Sequence, residues 1–282
     1  MKKILSALAL SLTAFSSVAP ASAADNADMR LYRFDCGTMT LGDLSMMSDA
    51  GEYKGRSYDI VISCYLIKHG DDWLLWDTGY PRSFQGGVTQ GTLKMNLEKP
   101  LADELATVGV KPADIRYVVL SHAHFDHAGQ SNDFPQATLV MQRAEYKVLA
   151  NKKDAEAHFI QPELLAAHTE GKQDKLRLLD GDTDLFGDGS VKLYALPGHT
   201  PGHQAMELTL PHAGKVVLSG DQWHFTENHE RNQVPTFNYD HDQTVASSKR
   251  LNDIVARDHA RLILGHEPKD NAALPRPPKY LD

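Results

Sequence analysis

The stretch RYVVLSHAHFDHAG, residues 116–129, decides the fold. Its first half is an apolar, β-branched run of the kind that forms a buried strand. With no spacer it continues into His122, His124, Asp126 and His127. Histidine and aspartate are seldom buried unless they are partnered, so packing alone gives no reason to crowd them at the end of a strand. His122 and His124 stand two apart and can address one ion together. Asp126 and His127 are adjacent and can turn to a second. A rigid strand that ends in a ligand-bearing turn is how a scaffold presents a metal site.

Working outward, most of the other histidines among the 14 fall into two kinds. His69, His158, His168, His212, His241 and His259 sit in polar surroundings and read as surface residues. Others repeat the strand–turn–ligand arrangement: His199 and His203 in LYALPGHTPGHQ, Asp221 and His224 in KVVLSGDQWHF, and His266 in RLILGHEP. The expected ligand sets are His122, His124 and His199 for one ion, and Asp126, His127 and His266 for the other. Asp221 remains, and one carboxylate can bridge two cations. His203 reads as a structural histidine close to the site rather than a ligand. A closed structural zinc site uses four ligands and often cysteine, whereas catalytic sites keep positions open for water. Seven ligands for two ions fit the second kind. Imidazole with carboxylate suits zinc first, and also cobalt, manganese or iron.

The remaining pattern sets the scaffold. Strand-like runs occur at 30–35, 59–67, 72–77, 116–121, 137–141, 191–196, 204–210, 215–219 and 261–264, and helical periodicity at 97–108, 142–150, 161–168 and 243–257. Paired strands interrupted by helices predict an α/β sandwich, two mixed sheets inside and helices outside. The polar stretch 46–58 reads as a long loop, a common place for a lid or binding rim.

Residues 1–23 read as a cleaved secretory signal peptide: Lys2 and Lys3, an apolar run from Ile4 to Val18, then Ala21-Ser22-Ala23. The expectation is one hydrolase domain over 24–282, secreted and periplasmic, without a membrane anchor. A formal net charge of −8 with no basic stripe argues against nucleic acid as a partner. Export permits a disulfide between Cys36 and Cys64. Their places in the strand-like LYRFDCG and IVISCYLI are read here as two free, buried thiols.

HAHFDHAG, GHTPGH, SGDQWHF and LGHEP together resemble the metallo-β-lactamase superfamily. With LYRFDCG, CYLI, LLWDTGYP, FTENHERNQVPTFNYD and the tail PPKYLD, the chain is similar over almost its whole length to the N-acyl-homoserine lactonases, which open the lactone ring of quorum-sensing signals. The resemblance implies the αββα fold, a two-metal centre with the ligands above, and Asp77 of WDTG as the carboxylate that steadies a ligating histidine. It implies attack on the lactone carbonyl by a hydroxide held between the two ions, with Asp126 accepting and returning the proton. It leaves a homodimer open. One position departs from the family pattern. Many lactonases carry a tyrosine three residues after the bridging aspartate, and here His224 stands there, expected to donate a hydrogen bond to the substrate carbonyl.

An acyl chain needs an apolar rim, for which Met39, Leu41, Leu44, Met46, Met47, Phe84 and Trp223 are candidates. The competing enzymatic reading is an organophosphate triesterase, or another ester or lactone hydrolase of the same fold. The reading from another class is a non-catalytic metal- or signal-binding protein. Complete ligand sets argue against it.

Overall fold

The computed structural model describes residues 28–171 and 173–282. The expected signal peptide lies outside them. Among the described residues, thirteen strands form two sheets. The first comprises β1 (Met29–Leu41), β2 (Tyr58–His69), β3 (Asp72–Trp76), β4 (Val88–Gln90), β5 (Leu93–Asn96), β6 (Ile115–Val119), β7 (Thr138–Gln142) and β8 (Leu176–Leu179). Their order across the sheet is β4-β5-β1-β2-β3-β6-β7-β8. The second comprises β9 (Thr183–Asp184), β10 (Val191–Ala195), β11 (Gln204–Leu210), β12 (Gly214–Leu218) and β13 (Arg261–Ile263), in the order β13-β12-β11-β10-β9. Both are mixed: β3, β6, β7 and β8 run parallel, as do β12 and β13, while the other pairs are antiparallel.

Alternation along the strands sorts side chains into layers. Tyr65 and Ile67 of β2 point to the interior between the sheets, where they meet Met206 and Leu208 of β11 and Val216 and Leu218 of β12. Cys64 and Leu66 point the other way, into the core under α1 (Leu101–Ala106) and α3 (Arg143–Leu149). Val217 of β12 points outward beneath α7 (His241–Asp258), which lays Leu251 and Ile254 on it. Asp240 caps α7 by accepting from the Gln243 amide at 2.9 Å. The result is helix, sheet, sheet, helix, as the pattern of runs predicts. Shorter helices complete the chain: α2 (Phe125–Ala128), α4 (Lys152–Ala157), α5 (Ala166–Thr169), α6 (Thr226–Arg231) and α8 (Pro268–Ala272). No helix among the described residues is long and apolar enough to cross a membrane.

Three expectations need correction. Cys36 and Cys64 are not free: they form a disulfide, with Cα atoms 5.8 Å apart. Cys64 lies opposite Phe34, and the irregularity in β1 between Asp35 and Thr38 swings Cys36 across to it. No run of residues in either strand announces that bulge. His168 is not on the surface: it is fully buried at the end of α5, its Nε2 3.0 Å from the Ser131 carbonyl. Of the apolar rim, Leu44, Phe84 and Trp223 are placed elsewhere. Trp223 is extended and buried against His229 and the core beneath α7. Because its neighbour His224 faces the cavity, the alternation of extended backbone turns Trp223 away.

Candidate metal centre

The donors gather where strands end. Asp77 follows β3, His122 to His127 follow β6, His199 follows β10, Asp221 follows β12 and His266 follows β13. Because β3 and β6 are parallel, and β12 and β13 likewise, four of these carboxyl ends open on one side of the sandwich. His124 caps α2 on its N-terminal side, which brings Asp126 and His127 round in a single turn. Gly220 precedes Asp221 at φ +56°, and a Cβ there would lie 2.6 Å from His203 Nε2 and 2.9 Å from Ser121 Cβ. Glycine is required both for the backbone and for the space.

The seven expected ligands come together, all nearly or wholly buried. His122, His124 and His199 offer ligand atoms within 4.8 Å of one another, and so do Asp126, His127 and His266. Asp221 stands between. Its Oδ2 lies 3.9 Å from His122 Nε2 and 3.6 Å from His199 Nε2, while its Oδ1 lies 3.1 Å from His127 Nε2 and 3.0 Å from His266 Nε2. Its Oδ2 is also 3.2 Å from His266 Nε2, so the one carboxylate stands within reach of both halves.

Whether these residues suit a metal can be tested on their outer nitrogens. His266 Nδ1 is 2.8 Å from the Val61 carbonyl, which can only accept, so Nδ1 carries a proton. His127 Nδ1 donates to Asp77 Oδ2 at 2.9 Å. Ser121 Oγ donates to Asp77 Oδ2 at 2.9 Å and is left to accept from His122 Nδ1 at 3.0 Å. In the neutral imidazole each inward Nε2 then holds a lone pair. His127 Nε2 and His266 Nε2 face each other at 3.2 Å. Two lone pairs at that distance repel unless a proton or a cation sits between them. Asp221 Oδ1, buried and without a hydrogen bond, is the third member of the same convergence. The donor set fits a cation.

Electrostatics divides the halves. Burial holds the imidazoles of His122 and His199 neutral, well below the ordinary histidine range, and lowers His124 to about 4. Burial acts the same way on His127 and His266, but there the carboxylates outweigh it. Asp221, Asp126 and Asp77 lift His127 well above its usual range, and chiefly Asp221 lifts His266. Burial would raise Asp221, yet His127, His266 and His224 hold it well below the usual carboxylate range. The second half is built for positive charge.

Asp77 is where the resemblance puts it. It sits at φ +60°, an uncommon conformation that aspartate tolerates better than most residues, and accepts from Ser121 N at 2.7 Å as well as from His127. His203 stays outside the donor set: its Nδ1 donates to the Leu196 carbonyl at 3.1 Å and its Nε2 accepts from the Asp221 amide at 2.9 Å. His224 places Nε2 3.2 Å from Asp221 Oδ2. Two supports were not legible in the sequence. Ser121 ties Asp77 to His122, and the buried Glu145 accepts from Ala123 N and Gly202 N at 2.8 Å each, joining the loops that carry His122 and His199. A glutamate within an amphipathic helix reads as a solvent-facing residue.

A cavity of about 410 Å³ opens on these donors. Its floor is His124, Asp126, Asp221, His224 and His266, and its walls include Met39, Leu41, Met46, Met47 and Phe237. The volume lies in the range of small-molecule sites. The loop at 46–58 is tied to the wall opposite: Asn228 Nδ2 donates to the Met47 carbonyl at 2.9 Å, and Thr236 N to the Met46 carbonyl at 2.9 Å.

The sequence profile of the metallo-beta-lactamase superfamily matches residues 58–266, which span the whole donor set. The chain belongs to that superfamily. Within it, this metallo-beta-lactamase-fold chain is 30% identical to an N-acyl homoserine lactonase of a Bacillus species, over 89% of its own length and 98% of the relative's. A solved structure of a B. thuringiensis AiiA variant with N-decanoyl-L-homoserine bound at the active site superposes with a TM-score of 0.77 at 26% identity, covering 89% of this chain and 98% of that one. An N-acyl homoserine lactone hydrolase with N-hexanoyl-L-homoserine bound at its catalytic metal centre gives 0.76 at 28% identity, with the same two coverages.

Proposed function

We propose that the protein is a two-metal hydrolase that opens the lactone ring of N-acyl-homoserine lactones. The observation that carries this is the cavity that joins an apolar wall to a floor of metal-type donors. An acyl-homoserine lactone has the same two parts, an apolar tail and a reactive ester ring.

His122, His124 and His199 would hold one divalent cation and Asp126, His127 and His266 the other, with Asp221 within reach of both, zinc being the metal this donor set suits best. Bound there, such ions supply Lewis acidity and a water acidified to near neutrality. Asp126 lines the floor, where its carboxylate can take the proton of the attacking water and return it to the ring oxygen. The acyl C–O bond of the ring breaks, the carbonyl carbon gains the hydroxyl, and the ring oxygen leaves as an alcohol. His224, on the same floor, donates a hydrogen bond to the carbonyl oxygen as charge builds on it. Met39, Met46 and Phe237 exclude water from the tail.

We read residues 24–282 as the working hydrolase domain and the periplasm as its place. The leader-like residues 1–23 support this, and so does the Cys36–Cys64 disulfide, a bond that persists in oxidising compartments.

The test is hydrolysis of a long-chain N-acyl-homoserine lactone by the purified protein, followed with a pH indicator, beside an organophosphate triester. Lactone opening at roughly 10⁴ M⁻¹s⁻¹ or faster, within the usual enzyme range, supports the proposal. An intact lactone with a cleaved triester would overturn it and point to His224 as the seat of a changed specificity.

A further inference from the structure

His199 is held differently from the other histidines of the centre. The outer nitrogen of His127 meets a carboxylate and that of His266 a backbone carbonyl. His199 Nδ1 meets a side-chain amide, Asn238 Oδ1, at 2.9 Å. An amide can present either end, so something must decide which end faces the imidazole. Asn238 Nδ2 lies 2.9 Å from Thr244 Oγ1, and Thr244 Oγ1 spends its only proton on the Asp240 carbonyl at 2.7 Å. Thr244 can then only accept, the amide nitrogen must face it, and the amide oxygen must face His199. That oxygen accepts, so Nδ1 carries the proton and the Nε2 lone pair points inward, 3.1 Å from His124 Nδ1.

The backbone repeats the attachment. Tyr239 N donates to the His199 carbonyl at 3.1 Å and Asp240 N to the Gly198 carbonyl at 2.9 Å. Gly198 sits at φ +139°, and a Cβ there would lie 2.3 Å from Thr244 N, so the His199 loop closes directly on the start of α7. The same short segment builds the cavity. Phe237 lies with its ring centroid 5.8 Å from His199 and 5.7 Å from His224, and Thr236 binds the Met46 carbonyl through both its amide and its hydroxyl. Residues 236–238 thus run from the apolar wall to the outer face of a candidate ligand.

We propose that Asn238 is a positioning residue that fixes the tautomer and ring orientation of His199, with Thr244 fixing Asn238 in turn. The inference rests on the reading of the site as a metal centre, and it deepens that reading for one half only. In the half with His122, His124 and His199, His199 depends on a neutral amide relay, while His122 leans on Ser121 Oγ. The other half depends on the Asp77 carboxylate.

The experiment compares wild type with Asn238→Leu, Asn238→Asp and Thr244→Val. The first readout is the side-chain ¹⁵N spectrum of His199 in metal-free protein, assigned with a His199→Gln variant. The proposal expects a single Nδ1–H tautomer in wild type and in Asn238→Asp, and a mixture in Asn238→Leu. The second readout is zinc affinity in chelator competition. Removing an outer partner of a ligating histidine typically costs about 10–100-fold, so Asn238→Leu should lose about that much at one of two sites. Thr244→Val should lose less, and Asn238→Asp should restore or exceed wild type. A purely structural role would weaken Asp and Leu variants alike and leave the tautomer unchanged. An unchanged tautomer in Asn238→Leu overturns the proposal. If that variant does not fold, a wild-type tautomer in Thr244→Val overturns it instead. Wild-type protein that takes up no zinc yet shows the Nδ1–H tautomer sinks the metal reading while upholding the role of Asn238.

Discussion

The two halves of the centre share Asp221 and differ in charge. The half with His122, His124 and His199 has neutral imidazoles, pushed below their ordinary range by burial. The half with Asp126, His127 and His266 has a carboxylate of its own, with Asp77 behind His127, and its histidines are raised, chiefly by the shared Asp221 and then by Asp126. Anionic donors neutralise a cation and neutral donors do not. The first half would therefore leave a bound ion more Lewis-acidic, which would suit a carbonyl oxygen taking up charge. The second half would hold an ion more tightly, beside Asp126, which the proposed reaction uses to exchange protons. A difference in donor charge assigns different work to two sites that look alike by ligand count.

The largest expected effect comes from the residue common to both. Asp221→Asn keeps the shape and removes the charge that both halves use, so kcat/KM should fall by roughly 10³-fold or more, with metal content below two per chain. Loss of only one ion with full activity would mean that the halves do not depend on a shared carboxylate.

The next effect separates the halves by pH in metal-stripped protein. His124 and His203 are depressed to about 4 by burial, so between that value and about 6.5 the unfolded chain binds more protons than the folded one. Their contribution is complete above about 6.5 and drains away as pH falls, at about 3 kcal/mol for each group. His127 and His266 are raised, so their contribution is complete below about 6.5 and is lost as pH rises through their folded values. Chemical denaturation from pH 4 to 9 should show stability falling on both sides. Replacing His203 by Gln should flatten the acid side only. A stripped protein with pH-independent stability would contradict the charge division.

Asp77→Asn should be smaller and one-sided. It removes the carboxylate behind His127 and should weaken one of two zinc sites by about 10–100-fold, as read by chelator competition. Equal weakening of both sites would show that Asp77 acts on the whole centre through Ser121.

The contrast between donors and wall also explains what the sequence could show. The donor half was legible because chemistry leaves short motifs: His122 to His127, His199, Asp221 and His266 all stand at the ends of apolar runs. The αββα layering was legible because strands such as 204–210 and a helix such as 243–257 each carry their own period. The wall was not. Met39 and Met47 line the cavity whereas Leu44 and Trp223 do not, and only the turn at 44–47 and the extended backbone at 223 decide which. Asn238 was hidden for a related reason. Its role depends on Thr244 and Gly198, which no motif joins. The strands 88–90, 93–96, 176–179 and 183–184 escaped because strands this short have too few residues for a period to register.

The smallest effect tests the wall. Phe159 is 56% exposed and lines the mouth of the cavity, so Phe159→Ala should cost little stability. It should raise KM for a long-chain lactone by about 10-fold at most, the worth of a few methylene contacts, and leave a short-chain lactone unchanged. Equal effects on both would place the tail elsewhere.

The most direct test of the central claim is anomalous diffraction from crystals of the zinc-loaded protein. The account predicts two peaks, one among His122, His124 and His199 and one among Asp126, His127 and His266, with an Asp221 oxygen directed at each. A single peak, or two peaks with Asp221 bound to only one, would contradict it.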